Sequence, residues 1–149
     1  MRVFLPLILI GILAMGITST RADGVPGIKD GDQLNRELAG RVRAIATDTL
    51  RQEIERNPDL VLIDIRMPAE VERMGGAIRA PQNVNIPRGW LEFRVTEHAR
   101  SKDTPIVVYC GANFRSPLAA RTLEDMGYTN VRYYLDGFIG WRERGLPVE

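Results

Sequence analysis

The residue most suited to chemistry in this 149-residue chain is its single cysteine, Cys110. It ends a strongly apolar stretch and is followed by a short polar segment: Gly111, Ala112, Asn113, Phe114, Arg115 and Ser116. When a strand, a tight loop and a helix follow one another in this way, the backbone N–H groups of the loop can form an anion cradle, and the helix N-terminus adds partial positive charge. Both stabilise a thiolate over a thiol, so the pattern predicts a nucleophilic sulfur at Cys110.

The other residues of this segment have predicted roles around the sulfur. Gly111 and Ala112 keep the loop uncluttered, and asparagine at position 113 is one of the few non-glycine residues that accept a left-handed backbone. Phe114 is a candidate wall for the sulfur pocket. Arg115 has two open interpretations, since a guanidinium either binds an anionic substrate group or braces the loop by hydrogen-bonding its carbonyls.

Other classes of site have little support in the composition. The chain has one cysteine and one histidine, too few for a typical metal site, and we predict no metal and no cofactor. His98 is predicted to lie solvated on a surface helix, which disfavours a Cys–His hydrolase dyad. The formal net charge is only +1, so no broad basic surface for nucleic acid is expected.

The elements that must position Cys110 are predicted from alternating strand-like and helix-like segments. Strands are predicted at residues 42–46, 60–65, 83–86, 105–109 and 131–135. Helices are predicted after Thr49, whose pairing with Gln52 fits a capping box, after Pro68, and over residues 88–97, 116–126 and 138–144. The alternation predicts an α/β fold with a mainly parallel five-stranded sheet flanked by helices on both faces. Ligands bind beyond the C-terminal ends of such strands, which is where Cys110 lies.

Apolar spacing predicts which helical side chains face the core. In residues 116–126 the inward set is Leu118, Ala119, Leu123 and Met126. The large aromatic residues on helices are predicted to pack in the core: Trp90, Phe93, Phe138 and Trp141.

The N-terminal segment has the pattern of an export signal. Arg2 precedes an uncharged, mostly apolar run over residues 3–17, and Ala22 offers a cleavage point. We predict a signal peptide over residues 1–22, a linker over 23–40 with a helical turn or two at 32–38, and a domain over 41–149 in the periplasm or otherwise exported. The alternative is an uncleaved N-terminal anchor, the only membrane contact expected. A single cysteine in an exported chain cannot form an internal disulfide, which favours a free reactive thiol.

Several motifs together resemble the rhodanese homology domain. The loop from Cys110 to Arg115 is similar to that family's six-residue loop, Cys-Arg-x-Gly-x-Arg, and residues 60–66 are similar to its Leu-Val-x-Ile-Asp-x-Arg strand, with Asp64 and Arg66 in the paired positions. Residues 70–87 and 131–141 resemble its Glu-Tyr-x-x-Gly-His-Ile stretch and its closing Gly-Gly-x-x-x-Trp. The resemblance covers about residues 41–149 and implies a rhodanese-like fold.

The resemblance implies a sulfurtransferase that works through a persulfide on Cys110. The donor would be thiosulfate or a similar small anion, and the acceptor cyanide, a small thiol or a protein thiol. Residues 111–116 would bind the substrate, while Asp64 and Arg66 would support the loop more as a brace than as catalysts. Gly111 replaces the first loop arginine of many members, so thiosulfate is expected to be handled less well.

Two other functions stay open at this point. Cysteine phosphatases and arsenate reductases of related fold also use a loop from Cys to Arg, but with one more residue than the four that separate Cys110 from Arg115 here. A non-catalytic binding module is the third interpretation, and it has no need for a reactive thiol.

Overall fold

The computed structural model describes residues 27–38 and 40–149, in which helices and strands alternate. The helices are α1 (Gly31–Leu38), α2 (Thr47–Arg56), α3 (Pro68–Arg73), α4 (Leu91–His98), α5 (Ser116–Asp125) and α6 (Gly137–Glu143). The strands are β1 (Ala44–Ile45), β2 (Val61–Asp64), β3 (Asn83–Asn85), β4 (Ile106–Tyr109) and β5 (Val131–Tyr134). A short 3-10 helix, Arg88–Trp90, leads into α4.

The five strands form one sheet in the order β1-β5-β4-β2-β3, with every pair parallel. This confirms the predicted α/β class and strand number. β4 lies in the middle, and its register with β2 pairs Asp64 with Tyr109. The C-terminal ends of these two strands therefore lie side by side, and each is followed by a segment that contributes to the site.

Alternation along β4 divides its side chains between two cores. Ile106, Val108 and Cys110 belong to one cluster, which includes Leu91 and Val95 of α4 and Ala119 and Leu123 of α5. Val107 and Tyr109 belong to the other, with α2 and α6 contributing Leu50, Phe138 and Trp141. Both clusters are buried, which explains why every residue of β2 and β4 is buried and why all of them except Asp64 at the end of β2 are apolar or aromatic. Cys110 thus continues the row of side chains that faces α5.

Three details differ from the sequence predictions. The capping box of Thr49 and Gln52 is wrong, because α2 begins at Thr47 and leaves Thr49 inside the first turn. Trp90 and Phe93 are 60% and 75% exposed, because α4 buries the stripe of Leu91 and Val95 instead. Met126 is also exposed, since α5 ends at Asp125.

The segment predicted as a linker contains α1, where helical turns were expected. α1 packs against α5, and Leu38 at its end packs on the core cluster that contains Cys110. The predicted signal peptide over residues 1–22 lies outside the described residues. Within the described part of the chain, no helix combines the length and the apolar character needed to cross a membrane.

Candidate active site

The thiol of Cys110 is buried at the end of β4, where a loop leads into α5. The residue is 1% exposed. Its Sγ lies 3.9 Å from Oγ of Ser116, the first residue of α5. The Ser116 hydroxyl in turn donates a 2.8 Å hydrogen bond to Oδ1 of Asn113. Three of the predicted site residues therefore form one chain of contacts, in which the Ser116 hydroxyl can turn its hydrogen toward a thiolate.

The backbone of the loop has the conformation that the sequence predicts at Asn113. Its φ is 64°, the left-handed region that asparagine tolerates better than most residues. None of the backbone N–H groups from Gly111 to Ser116 donates a hydrogen bond to another residue in the described ranges. These donors stay available at the start of α5, which is the arrangement that binds anions.

Two carbonyl groups at the start of the loop are hydrogen-bonded to helix α6. The N–H groups of Phe138 and Ile139, in the first turn of α6, donate to the carbonyl oxygens of Cys110 and Gly111 at 2.9 and 3.0 Å. This close approach of α6 to the loop requires glycine at position 137. The φ of Gly137 is 61°, and a Cβ there would lie 2.6 Å from the Gly111 oxygen. Gly137 is therefore part of the site; in the sequence it is visible only as a glycine of the segment that resembles the closing Gly-Gly-x-x-x-Trp motif.

Arg115 forms a two-pronged ion pair with Glu70 of α3, a residue that the site prediction missed. Its Nη1 and Nη2 atoms donate to the two carboxylate oxygens at 2.9 and 2.8 Å. These bonds, helped by the N–H of Met67, lower the pKa of Glu70 from 4.5 to about 2. The pairing with Glu70, and to a lesser degree the charge of a Cys110 thiolate, raise the pKa of Arg115. Arg115 thus connects the loop to α3 through Glu70, and in the described residues its guanidinium donates none of the hydrogen bonds to the loop carbonyls that the bracing interpretation had expected.

Asp64 and Arg66 form a fully buried ion pair behind the loop. The Arg66 Nε atom lies 2.9 and 3.0 Å from the two carboxylate oxygens, and its Nη2 atom also donates to the carbonyl of Gly76 at 2.9 Å. The guanidinium carbon lies 4.1 Å from the centre of the Phe138 ring. Because Phe138 holds the Cys110 carbonyl, the pair supports the loop through α6.

The remaining residues of the prediction differ in their exposure. Ala112 is exposed, and Phe114 is 67% exposed, so its ring does not enclose the sulfur. Gly111 is buried, and a Cβ there would lie 3.2 Å from Cε of Met74. The Phe114 carbonyl accepts a 2.8 Å hydrogen bond from Nδ2 of Asn35 in α1. His98 is exposed on α4, as predicted.

The fold and the site define a class of protein: a small parallel α/β domain built around one buried loop cysteine. The family model of the rhodanese-like domain matches residues 46–144. The chain belongs to the rhodanese family, as the resemblance of its motifs predicts.

The names and descriptions of the relatives refer to two kinds of activity, sulfur transfer and tyrosine phosphatase activity. A sulfurtransferase from Allochromatium vinosum is 33% identical over 107 residues, which cover 72% of this chain and 94% of that protein. The polysulfide-sulfur transferase homodimer from Wolinella succinogenes is similar in structure, with a TM-score of 0.67, 25% identity and coverage of 82% of this chain and 93% of the other. A Rhodopseudomonas palustris protein of unknown function, described as a possible tyrosine phosphatase, has a TM-score of 0.70 and 31% identity and covers 85% of this chain and 100% of its own.

Proposed function

We propose that this protein is a sulfurtransferase that carries a sulfane sulfur as a persulfide on Cys110. The observation that carries the proposal is the loop itself. It places a buried thiol beside backbone N–H groups without acceptors in the described chain and beside the first turn of α5. Such a site stabilises a thiolate, a persulfide anion and a departing oxyanion with the same donors. The sulfurtransferase names among the relatives support this assignment.

The reaction follows a double displacement. The Cys110 thiolate attacks the outer sulfur of thiosulfate or a similar donor, so a new S–S bond forms at Cys110. The S–S bond of the donor breaks, and sulfite, or its equivalent, leaves with the electron pair. A thiolate or cyanide then attacks the outer sulfur of the persulfide, and the Cys110 thiolate is the leaving group. The donors of the loop compensate the negative charge on sulfur in both steps.

Thiosulfate is expected to be a weaker donor than for rhodanese loops with more cations. Gly111 and Ala112 contribute no charge, and Arg115 is paired with Glu70. The named activity of the Wolinella relative makes polysulfide a natural alternative donor. A comparison of thiosulfate and polysulfide as donors, with cyanide or a small thiol as acceptor, will rank them.

Mass spectrometry tests the central step. Treatment with a sulfane donor should add one sulfur atom to Cys110, and cyanide should remove it. Cys110→Ser should prevent the addition and the turnover while leaving the thermal transition almost unchanged. If no donor adds sulfur to the folded protein, the proposal is wrong.

Phosphate monoester or arsenate chemistry is the second candidate function, because one structural relative is described as a possible tyrosine phosphatase. Only four residues separate Cys110 from Arg115, and we expect this shorter loop to fit a sulfur atom and to exclude a tetrahedral phosphate. Hydrolysis of an aryl phosphate faster than sulfur transfer, lost in Cys110→Ser, would reverse the ranking. A non-catalytic binding module would show neither activity.

We also propose that the protein works outside the cytoplasm, on the basis of the signal-like residues 1–22. An exported thiol without a second cysteine in the chain relies on a persulfide or on a reducing partner for protection against oxidation. Fractionation and N-terminal sequencing test the location. A mature chain beginning at Asp23 supports cleavage, one beginning at Met1 in the membrane fraction supports an anchor, and a cytoplasmic protein contradicts both.

A further inference from the structure

Helix α1 lies outside the matched rhodanese-like domain, yet it contacts the loop that carries Cys110. The family model begins at residue 46, whereas α1 spans Gly31–Leu38. From this helix the Asn35 side chain donates a 2.8 Å hydrogen bond to the carbonyl oxygen of Phe114. We propose that Asn35 is a positioning residue for the anion cradle: it fixes the peptide unit between Phe114 and Arg115 so that the N–H of Arg115 serves the sulfur site.

The geometry of the peptide bond supports this role. A trans peptide is planar, so its C=O and N–H groups point in opposite directions. Because Asn35 holds the Phe114 oxygen toward α1, the N–H of Arg115 points away from α1. That N–H has no acceptor among the described residues. The preceding residue, Asn113, has a φ of 64°, and this region of the backbone is sparsely populated by non-glycine residues. A fixed contact next to such a residue restrains the loop where its backbone has the least intrinsic preference.

α1 itself is anchored well enough to act as a support. It packs against α5, and Leu38 contacts the core cluster of Cys110. The Leu38 carbonyl accepts hydrogen bonds from the N–H groups of Arg41 and Val42, at 2.9 and 3.3 Å. The support therefore connects to the start of the domain over a few residues.

Burial of the Asn35 amide oxygen without a hydrogen-bond partner costs free energy, and this favours a role of the side chain in the loop over a role in stabilising α1. Its Oδ1 atom is buried and has no hydrogen-bond partner in the described part of the chain. A buried polar atom without a partner is unfavourable, and an alanine at this position would avoid that cost. The other end of the amide reaches the Phe114 carbonyl, so the benefit of the side chain lies there.

The inference deepens the proposed function, but alkylation of Cys110 tests it independently of sulfur transfer. Cys110 is the only cysteine, so its reaction with iodoacetate or iodoacetamide reports on this site alone. The two reagents differ in charge, and the ratio of their rates measures how far the loop favours an anion. Asn35→Leu has a similar size and no charge but cannot donate, and Asn35→Ala removes the group. Leu34→Ala, a neutral change at an exposed position on α1, is the matched control.

Both Asn35 variants should lower the iodoacetate-to-iodoacetamide rate ratio about three- to tenfold, the range expected for one lost hydrogen bond. Leu34→Ala should leave it unchanged, and the thermal transition of Asn35→Leu should confirm that the variant is folded. An unchanged ratio, or an equal rise of both rates, would overturn the proposal, because a contact that only keeps the loop closed affects both reagents alike. If the ratio falls but the wild-type protein transfers no sulfur from any donor, the positioning role stands and the sulfurtransferase proposal fails.

Discussion

Glu70 and Arg115 connect the first turn of α3 to the last residue before α5 through two hydrogen bonds of 2.9 and 2.8 Å. The pair brings an anion and a cation beside the sulfur site and cancels most of the charge there. The interaction therefore constrains the loop and weakens its attraction for an anionic donor.

Removing the negative charge of Glu70 should improve the binding of thiosulfate. Glu70→Gln keeps the shape of the side chain and leaves Arg115 with uncompensated positive charge. We expect the KM for thiosulfate to fall about three- to tenfold, as for one added charge-assisted contact. Glu97→Gln, which disrupts the exposed pair with Arg94, is the control and should have no effect. Steady-state kinetics measure both, and a higher KM in Glu70→Gln would show that the bracing of Arg115 matters more than its free charge.

The same pair predicts how stability depends on pH. Because the folded-state pKa of Glu70 is lowered from 4.5 to about 2, its ionised form is stabilised by folding. That contribution is fully present above pH 4.5 and is lost as pH falls toward 2. The difference in thermal transition between the wild type and Glu70→Gln should be constant above about pH 5.5 and shrink below pH 4.5. Melting curves across this range test it, and a difference independent of pH would contradict it.

Gly137 should be among the positions least tolerant of a methyl group. In Gly137→Ala the new Cβ would lie 2.6 Å from the Gly111 oxygen and 3.0 Å from the Cys110 oxygen. The loop or α6 must shift, and we expect sulfur transfer to fall by about tenfold or more. Gly145→Ala is a matched control, since its φ of 66° is similar but no atom lies within 4 Å of the new Cβ. It should lose about 1–2 kcal/mol of stability and keep its activity. Equal activity in the two variants would refute the role of the close approach.

Removing one partner of the Asp64–Arg66 pair should lower the free energy of unfolding much more than replacing both partners with uncharged residues. Arg66→Met leaves a carboxylate with 0% side-chain exposure without its cation, and we expect a loss of about 3–5 kcal/mol in the free energy of unfolding. The double variant with Asp64→Asn should recover part of that loss, since no buried charge is left unpaired. Urea denaturation measures both. Additive losses in the double variant would mean that the two residues do not act as a pair.

The sequence predicts the parts of the site that depend on neighbouring residues along the chain. Cys110, the left-handed Asn113 and the start of α5 at Ser116 follow from local patterns, and the buried strands follow from their continuous apolar runs. Glu70 and Asn35 were missed because their roles depend on packing between distant segments. The local signals for Glu70 were an acidic residue in the first turn after Pro68 and its place as the first residue of the stretch that resembles the family's Glu-Tyr-x-x-Gly-His-Ile motif.

The aromatic residues on helices also show that local sequence does not decide which side chains reach the core. Phe138 and Trp141 are buried as predicted, whereas Trp90 and Phe93 form an exposed edge-to-face pair with ring centres 6.2 Å apart. Size and hydrophobicity predict burial equally for all four. The outcome is decided by which stripe of each short helix faces the sheet, and in α4 that stripe is Leu91 and Val95.

Around Cys110, the carbonyl groups of the loop are hydrogen-bonded to the first turn of α6, whereas its N–H groups are left without acceptors in the described residues. The carbonyl oxygens of Cys110 and Gly111 are engaged by Phe138 and Ile139, while the N–H groups of residues 111–116 face no acceptor in the described chain. The fixed backbone groups therefore supply donors at the sulfur that do not depend on the side-chain pair of Arg115 and Glu70. Dissolved ions screen a buried, rigid field far less than they screen exposed charges. The part of the anion stabilisation that comes from these backbone groups should consequently change little with the salt concentration around the protein.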